Sequence, residues 1–380
     1  MEVLWVALTL IKGLGPKLTQ RLLRAFATPA DVFEASPGLL LQALGGYPAI
    51  VSRIEAGPDI NGARSIVARV DDLGGRIVTI AGGEYPLALK QISDAPTVLY
   101  VKGRPLDSWG EAVAIVGTRM ATGYGLKMAR KIAGQLARAG VVVISGMARG
   151  IDTAAHKGAL AAGGATIAVW GSGLDVVYPN ENQWLAQEIA GNGAILTEYP
   201  PGTDPEPFRF PERNRIISGL SAGVVVVECR HKSGALRTVE FGCDQGREIM
   251  AVPGPVTRPE SAGPNQLLYD GASLVRCGDD VIHCLGGMGQ YCRLDGCEEM
   301  IGPTGSVNTD HIPVMAGTDP SDLEAVVEAL TGFGGEPATA NDVAEATQMP
   351  AATVQVLLSV LEMCDAVRSC GLGRFVAKGF

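Results

Sequence analysis

Between residues 110 and 285 the chain alternates short apolar runs with longer stretches of helical periodicity. The apolar runs are residues 112–116, 141–144, 166–170, 194–197, 224–228 and 249–252. Each run is too short to form a helix and too apolar to be a strand with one solvent-facing side. Parallel strands covered by helices on both faces fit this alternation. The pattern predicts an α/β fold, a Rossmann-like doubly wound parallel sheet, for residues 110–285.

A helical pattern precedes this region. Leu18 and Leu22 have helical spacing, and a tight glycine turn interrupts the pattern at residues 11–16. These features predict a small N-terminal helical domain, of the helix-hairpin-helix or SAM-like type, over residues 1–62. The turn could offer backbone N–H groups to a phosphate, but a module that only packs would give the same pattern. Residues 63–109 are interpreted as a connecting segment.

The C-terminal part changes character twice. Residues 286–320 are rich in Gly, Pro, Thr and Asp and lack periodicity, so we expect an acidic linker there. In residues 321–380, three helical stretches precede a short hairpin; they are residues 323–330, 340–346 and 350–363, then 366–370 and 374–377. Three helices and a hairpin predict a winged helix.

Composition is typical of a globular protein. The chain has 380 residues, of which 50 are Gly and 47% are hydrophobic, enough for about two to three domains with real cores. No apolar stretch is long enough to span a membrane and the start lacks a signal peptide, so we expect a soluble cytoplasmic protein. The eight cysteines are then expected to be reduced. Cys292 and Cys297 lack the spacing and the His partner of a zinc site, so no metal is predicted.

The distribution of charge matters more than the net charge of −9. Residues 279–328 contain ten acidic residues and one basic residue, so the rest of the chain is neutral overall. Residues 207–237 have the opposite balance, with six Arg or Lys residues against two Glu. A local basic patch can bind an anion whatever the net charge of the protein.

Glycine, hydroxyl and basic residues follow the predicted strands. In a doubly wound sheet the ligand crevice lies at the carboxyl ends of the strands, where helix N-termini attract anions. The candidate phosphate-binding residues in these loops are Gly117, Thr118, Arg119, Gly125, Ser145, Gly146, Arg149, Gly171, Gly173, Arg213, Asn214, Arg215, Lys232, Ser233 and Gly234. Such residue types together are what phosphate recognition requires.

Several catalytic and cofactor-binding patterns are absent. The second strand ends Val143-Ile144-Ser145, without the acid that holds a ribose, and no P-loop occurs, so no cofactor is expected. No serine has the setting of a hydrolase nucleophile. Glu198 and Glu240 lack a second acid at a spacing that identifies a catalytic pair, and His156 is interpreted as structural, with Asp152 capping its helix.

The motifs in these loops resemble the DNA-processing protein DprA/Smf family. The resemblance rests on residues 115–119 (Ile-Val-Gly-Thr-Arg), 145–152 with His156, 171–175 with Tyr178 and Pro179, 210–217 (Phe-Pro-Glu-Arg-Asn-Arg-Ile-Ile), Ser233 and Gly234 with Thr238, and 252–254. It spans about residues 110–285 in the family's order, and the flanking regions are similar to DprA accessory domains.

The resemblance implies a non-enzymatic recombination mediator. Such a protein binds and protects incoming single-stranded DNA, loads RecA during natural transformation and forms a homodimer, and single-strand-binding protein is a further candidate partner. By analogy with the family, Arg119 would be the main phosphate contact, and Thr118 keeps the hydroxyl of the family's usual Ser. Phe208 lies where the family often has an aromatic near the pocket, and either base stacking or packing would explain it.

Two interpretations compete with parts of this one. The third helix of the predicted winged helix, residues 350–363, contains no Lys or Arg, which favours a protein contact or a regulatory role over DNA binding. The alternative function is a Rossmann-like nucleoside-phosphate hydrolase of the LOG type, which the segment from Ser233 to Glu240 faintly resembles. Those enzymes carry a Pro-Gly-Gly-x-Gly-Thr stretch that this chain lacks.

Overall fold

A computed structural model describes residues 2–286, 320–333, 338–363, 367–369 and 374–377. The chain divides into two compact units between Tyr291 and Cys292. The predicted linker at residues 286–320 lies almost entirely outside the described residues, as do Cys292 and Cys297. None of the described helices is both long and apolar enough to cross a bilayer.

The first unit contains a nine-stranded sheet in the order β1-β2-β6-β5-β4-β3-β7-β8-β9. The strands are β1 (Arg76–Thr79), β2 (Val98–Gly103), β3 (Ala112–Val116), β4 (Val142–Ser145), β5 (Thr166–Val169), β6 (Ala194–Thr197), β7 (Gly223–Val226), β8 (Glu248–Ala251) and β9 (Ser273–Leu274). Neighbouring strands from β6 to β9 are parallel, whereas β1 and β2 add an antiparallel edge. The predicted α/β class and its doubly wound parallel sheet are confirmed.

The order of the strands reverses beside β3. The chain runs from β3 through β4 and β5 to β6 on one side, and then places β7, β8 and β9 on the other side. β3 and β7 are therefore adjacent, with Val116 opposite Val226 at their carboxyl ends. Such a switch point opens a crevice in doubly wound sheets, because the connecting helices leave in opposite directions.

Helices cover both faces of the sheet and form a cap at its edge. They are α1 (Glu2–Thr9), α2 (Pro16–Ala25), α3 (Pro29–Glu34), α4 (Pro37–Leu44), α5 (Pro48–Glu55), α6 (Ile60–Asp72), α7 (Leu87–Lys90), α8 (Gly123–Arg138), α9 (Ile151–Ala161), α10 (Gln183–Asn192), α11 (Arg209–Gly219), α12 (Gly234–Asp244), α13 (Ala262–Tyr269) and α14 (Gly278–Cys284). Four of the first five begin with proline, whose fixed φ suits the first helical position. Along β3, Val113 and Ile115 enter one core and Ala114 and Val116 enter the other, so both faces are apolar.

The segment at residues 63–109 is more than a connection. It contains most of α6 and both antiparallel edge strands. Tyr100 of β2 is buried with Trp5 of α1 and Leu185 of α10. The apolar run at residues 98–101 is a sequence signal from which β2 could have been predicted, whereas its antiparallel pairing with β6 depends on contacts distant in sequence.

The second unit has the three helices and the hairpin of the predicted winged helix. They are α15 (Pro320–Gly332), α16 (Ala340–Thr347) and α17 (Ala351–Met363), with β10 (Ala338–Thr339), β11 (Val367–Ser369) and β12 (Arg374–Ala377) forming a sheet in the order β10-β12-β11. Leu330, Val343, Leu358 and Phe375 share one core. Thr339 and Asp342 form a capping box at the start of α16.

Candidate nucleic-acid interface

A cavity of about 470 Å³ lies where the loops after β3 and β7 meet. Its lining comprises Val116, Gly117, Thr118, Arg119, Met120, Ala148, Asp152, Pro207, Phe210, Pro211, Arg213, Asn214, Ile217, Arg230, Lys232, Ser233, Gly234, Ala235 and Thr238. Eight of the predicted site residues are among them: Gly117, Thr118, Arg119, Arg213, Asn214, Lys232, Ser233 and Gly234. The topological switch point therefore holds the candidate site, as the sheet geometry requires.

The loop after β3 presents an exposed guanidinium. The Thr118 N–H donates to the Glu228 carbonyl oxygen at 2.6 Å, which ties this loop to the end of β7. A Cβ at Gly117 would lie 2.8 Å from the same oxygen, so glycine is needed there. Arg119 is exposed, and its guanidinium lies 5.3 Å from the centre of the Phe210 ring. Within the part of the chain that the structure describes, Arg119 has no carboxylate partner.

A carboxylate of the chain itself occupies the N-terminus of α8. The Thr122 N–H donates to one Glu228 carboxylate oxygen at 2.9 Å, and the Thr122 hydroxyl donates to the other at 2.6 Å. A Cβ at Gly125 would collide with this carboxylate. In dinucleotide-binding Rossmann folds the corresponding helix end holds the pyrophosphate. Here Glu228 fills that position, so Gly125 serves close packing and lies outside the cavity.

A buried arginine forms the floor of the cavity. Arg213 of α11 is 4% exposed and donates to the carbonyl oxygens of Gly146 and Val169. These hydrogen bonds connect the carboxyl ends of β4 and β5. Asp152 is also buried and accepts from the N–H groups of Gly146 and Ala148 at 3.2 and 3.4 Å. Burial raises the pKa of Asp152 to about 6, although the positive charge of Arg213 opposes the shift.

Asp152 and His156 have structural roles, but Asp152 does not form the predicted cap of α9. Asp152 lies in the first turn of α9, but its carboxylate holds the preceding 146–148 turn and shows no side-chain cap of its own helix. His156 is fully buried, with its Nδ1 2.7 Å from the Thr166 hydroxyl. Burial, with a contribution from Arg213, lowers the pKa of His156 to about 3, so the ring is neutral at physiological pH.

The remaining predicted site residues lie outside the cavity lining: Gly125, Ser145, Gly146, Arg149, Gly171, Gly173, Phe208 and Arg215. Ser145 is buried and donates to the Ile115 carbonyl oxygen at 2.7 Å, while Gly171 packs behind the Phe210 ring. Gly146 supplies backbone atoms to Arg213 and Asp152. A role for these residues in DNA binding stays a prediction.

Two of the predicted arginines are engaged elsewhere. Arg215 is buried and forms ion pairs with Glu198, through a short contact, and with Asp94 at 3.9 Å. The same pairing accounts for Glu198, which is a structural partner. Arg149 is exposed and forms an ion pair with Glu181 at 2.6 Å.

Phe210, two positions from the predicted Phe208, is the aromatic residue of the cavity. Phe208 is 55% exposed, its ring lies 5.1 Å from the guanidinium of Arg209, and it is not among the lining residues. Sequence alone could not choose between these rings, because both flank Arg209 at the start of α11. The helix turns them in different directions, and Phe210 meets both Arg119 and Tyr178.

The electrostatic character of the cavity is positive. Arg119, Arg213, Arg230 and Lys232 line it, and Asp152 is the one acid among the lining residues. Arg230 also forms an ion pair with Glu260 at 2.8 Å. The N-terminus of α12 also opens here, because Gly234 begins that helix and Ser233 caps it. Helix N-termini and unpaired cations together favour a phosphate ligand.

The described residues hold no group of three or more potential metal ligands. The four described cysteines, Cys229, Cys243, Cys277 and Cys284, are free thiols. Burial raises the pKa of the Cys229 thiol to about 12, so it stays protonated.

Comparison with known proteins places the site in a family context. Residues 76–286 match the family model described as DNA recombination-mediator protein A, and residues 313–371 match the DprA winged helix domain. The chain is 32% identical to a protein Smf of Synechocystis sp. over 96% of both chains. It is 44% identical to the DNA processing protein DprA of Streptococcus pneumoniae over 52% of this chain and 70% of that one.

Two solved structures are similar in fold. The X-ray structure of DprA from Streptococcus pneumoniae superposes with a TM-score of 0.64 at 36% identity and covers 74% of this chain and 95% of that chain. A structure of DNA processing protein A from Helicobacter pylori, described in terms of its single-stranded DNA binding mode, gives a TM-score of 0.51 at 32% identity. It covers 56% of this chain and 96% of that chain.

Proposed function

This chain belongs to the DNA recombination-mediator protein A (DprA/Smf) family, and we propose that it binds single-stranded DNA in the cavity between β3 and β7. The observation that carries the proposal is Arg119, a cation without a carboxylate partner among the described residues, held over Phe210 at the cavity mouth. The guanidinium can donate to a backbone phosphate. Guanidinium planes and aromatic rings are also groups on which an unpaired base can stack.

The same geometry favours a single strand over a duplex. Bases of a duplex are stacked on each other and cannot reach Phe210 without being extracted, which costs a few kcal/mol. Phosphate contacts by Arg119 and Lys232 carry no base identity, so we expect affinity for many sequences. The neighbouring Helicobacter pylori structure, named for its single-stranded DNA binding mode, supports this reading.

We favour a binding role over catalysis. A nucleoside-phosphate hydrolase needs a free acid or base beside the phosphate, and the one acid lining the cavity is Asp152. That carboxylate is buried and already accepts from two backbone N–H groups. Glu240 is exposed and paired with Arg237 at 2.5 Å. We also expect no nucleotide cofactor, because Glu228 fills the helix end where one would place its phosphates.

The wider role is proposed from the family. We propose that the protein acts in the cytoplasm as a homodimer, protects incoming DNA during natural transformation and loads RecA onto it, with single-strand-binding protein as a further partner. The match of residues 313–371 to the DprA winged helix supports a common domain plan. For that domain we propose a protein contact or a regulatory role, since α17 contains no Lys or Arg.

A titration with fluorescently labelled DNA tests the proposed function. The full chain should bind a single-stranded oligonucleotide much more tightly than the matched duplex, with equal affinity in the presence and absence of ATP and magnesium. Equal affinity for duplex, or a large requirement for ATP, would contradict the proposal. Release of free base from nucleoside monophosphates would instead support the hydrolase. RecA loading is tested by adding the protein to RecA and DNA coated with single-strand-binding protein, where filament formation should accelerate.

A further inference from the structure

Beside the cavity lies a series of aromatic and basic side chains that are exposed or half-buried. The Tyr178 ring lies 5.2 Å from the Phe210 ring, tilted by 42°. Phe210 contacts Arg119 and lines the cavity, whereas Tyr178 lies outside the lining and is exposed. A single strand of DNA with a base stacked on Phe210 would therefore pass Tyr178 as it leaves the cavity.

The series continues through an exposed ion pair. The Arg149 guanidinium donates two hydrogen bonds to the Glu181 carboxylate, at 2.8 and 2.6 Å, and Glu181 lies three residues after Tyr178. Glu181 precedes α10, and Trp184 is the second residue of that helix. Lys157 of α9 places its Nζ 4.9 Å from the centre of the Trp184 ring. Tyr178, Glu181 and Trp184 follow one another at intervals of three residues, with Arg149 paired to Glu181 and Lys157 beside the Trp184 ring. We call Tyr178, Arg149, Trp184 and Lys157 the aromatic track.

Trp184 differs from the other three tryptophans. Trp5 and Trp170 are buried and Trp109 is half-buried, each with apolar packing. Trp184 is 50% exposed, although indole is among the most costly side chains to leave in water. Its aromatic face next to a lysine matches the surfaces on which proteins without sequence preference stack nucleic-acid bases.

We propose that single-stranded DNA leaving the cavity follows the aromatic track, with a second base stacked on Trp184 and the flanking phosphates held by Arg149 and Lys157. This inference rests on the proposed function, because it extends the same strand beyond Phe210. The ion pair between Arg149 and Glu181 is exposed, with side chains that are 61% and 55% accessible, respectively. Exposed pairs contribute little and are screened by salt, so a phosphate can replace Glu181 as the partner of Arg149.

Oligonucleotides of increasing length test the track. A short oligothymidylate that fills only the cavity should bind the parent and Trp184→Ala equally. A longer one should bind the parent more tightly than Trp184→Ala, by about 5- to 150-fold for one stacked base. Leu39→Ala is the control, since Leu39 is an equally exposed apolar side chain, 53% accessible, in the helical domain.

Fluorescence separates stacking from a change in structure. Because Trp184 is the most exposed tryptophan, a base stacked on it should quench emission with the long oligonucleotide and leave it unchanged with the short one. Trp184→Phe should keep the affinity for the long oligonucleotide and lose the quenching.

The outcomes distinguish the two proposals. Equal affinity of Trp184→Ala and the parent for the long oligonucleotide, without quenching in the parent, would overturn the track and leave the cavity proposal standing. Failure of the short oligonucleotide to bind the parent, with the long one bound, would overturn the cavity proposal and this extension together.

Discussion

Replacement of Arg119 by alanine should weaken DNA binding more than any other single change in the cavity. The side chain is exposed, its guanidinium lies over the Phe210 ring, and it forms no ion pair with any described residue, so its removal breaks no buried ion pair. We therefore expect a loss of folding free energy below about 1 kcal/mol, the value of an exposed cation–π contact. A charge-assisted hydrogen bond to phosphate contributes about 1.5–3 kcal/mol, so affinity should fall by about 10- to 150-fold.

The salt dependence identifies the lost contact as a phosphate. Losing one contact with a single strand should lower the slope of log affinity against log salt by about 0.7 for every sequence tested. Arg237→Ala is a matched control, because Arg237 is also exposed and lies 5.7 Å from a phenylalanine ring, Phe241, but is paired with Glu240 outside the cavity lining. If Arg119→Ala folds and binds like Arg237→Ala, with an unchanged slope, the phosphate role of the loop after β3 is wrong.

Three further changes test other parts of the site. Because the pKa of Asp152 is raised to about 6 by burial, its negative charge disappears as pH falls through about 6; single-strand affinity measured by anisotropy should then rise, and Asp152→Asn should abolish that rise. The neutral Asp152 carboxyl group contributes to folding stability below about pH 4, and this contribution is lost as pH rises through about 6. The free energy of unfolding of Asp152→Asn in urea should therefore depend less on pH in this window than that of the parent. Glu228→Ala leaves the Thr122 N–H without its acceptor and should cost about 1–3 kcal/mol, seen as a Tm decrease that an exposed control, Glu240→Ala, does not show. A chain ending at residue 286 should bind single-stranded DNA with an affinity within about a few-fold of the full chain, because the acidic segment 279–328 adds no attraction for phosphate. A hundredfold loss of affinity would instead indicate that the main DNA site lies in the winged helix.

The sequence determined the parallel part of the sheet because its strands are buried on both faces. A strand such as residues 112–116 must be apolar at every position to lie between two layers of helices, and this requirement is visible without any coordinates. The same logic predicted the position of the cavity, because loops at the carboxyl ends of parallel strands share one edge of the sheet. Gly117, Arg119 and Lys232 could therefore be assigned to one site although more than 100 residues separate the first from the last.

The local sequence pattern does not determine which partner a long polar side chain contacts. Arg213 and Arg215 lie two positions apart in one motif, yet Arg213 forms the cavity floor while Arg215 pairs with Glu198 and Asp94. The helix places successive side chains at different angles, and the carboxylates that capture Arg215 come from distant parts of the chain.

Tertiary structure alone decided which functional groups remain free. Glu228 looks like an ordinary acid after a strand, but the fold carries its carboxylate to the N-terminus of α8, where it accepts from the Thr122 N–H and packs against Gly125. Arg119 follows β3, Tyr178 precedes α10 and Phe210 lies at the start of α11, and the three meet only because these parts of the chain converge at one edge of the sheet. The periodicity of a sequence reports burial of the backbone elements, whereas the partners of charged and aromatic side chains depend on long-range contacts that only folding brings together.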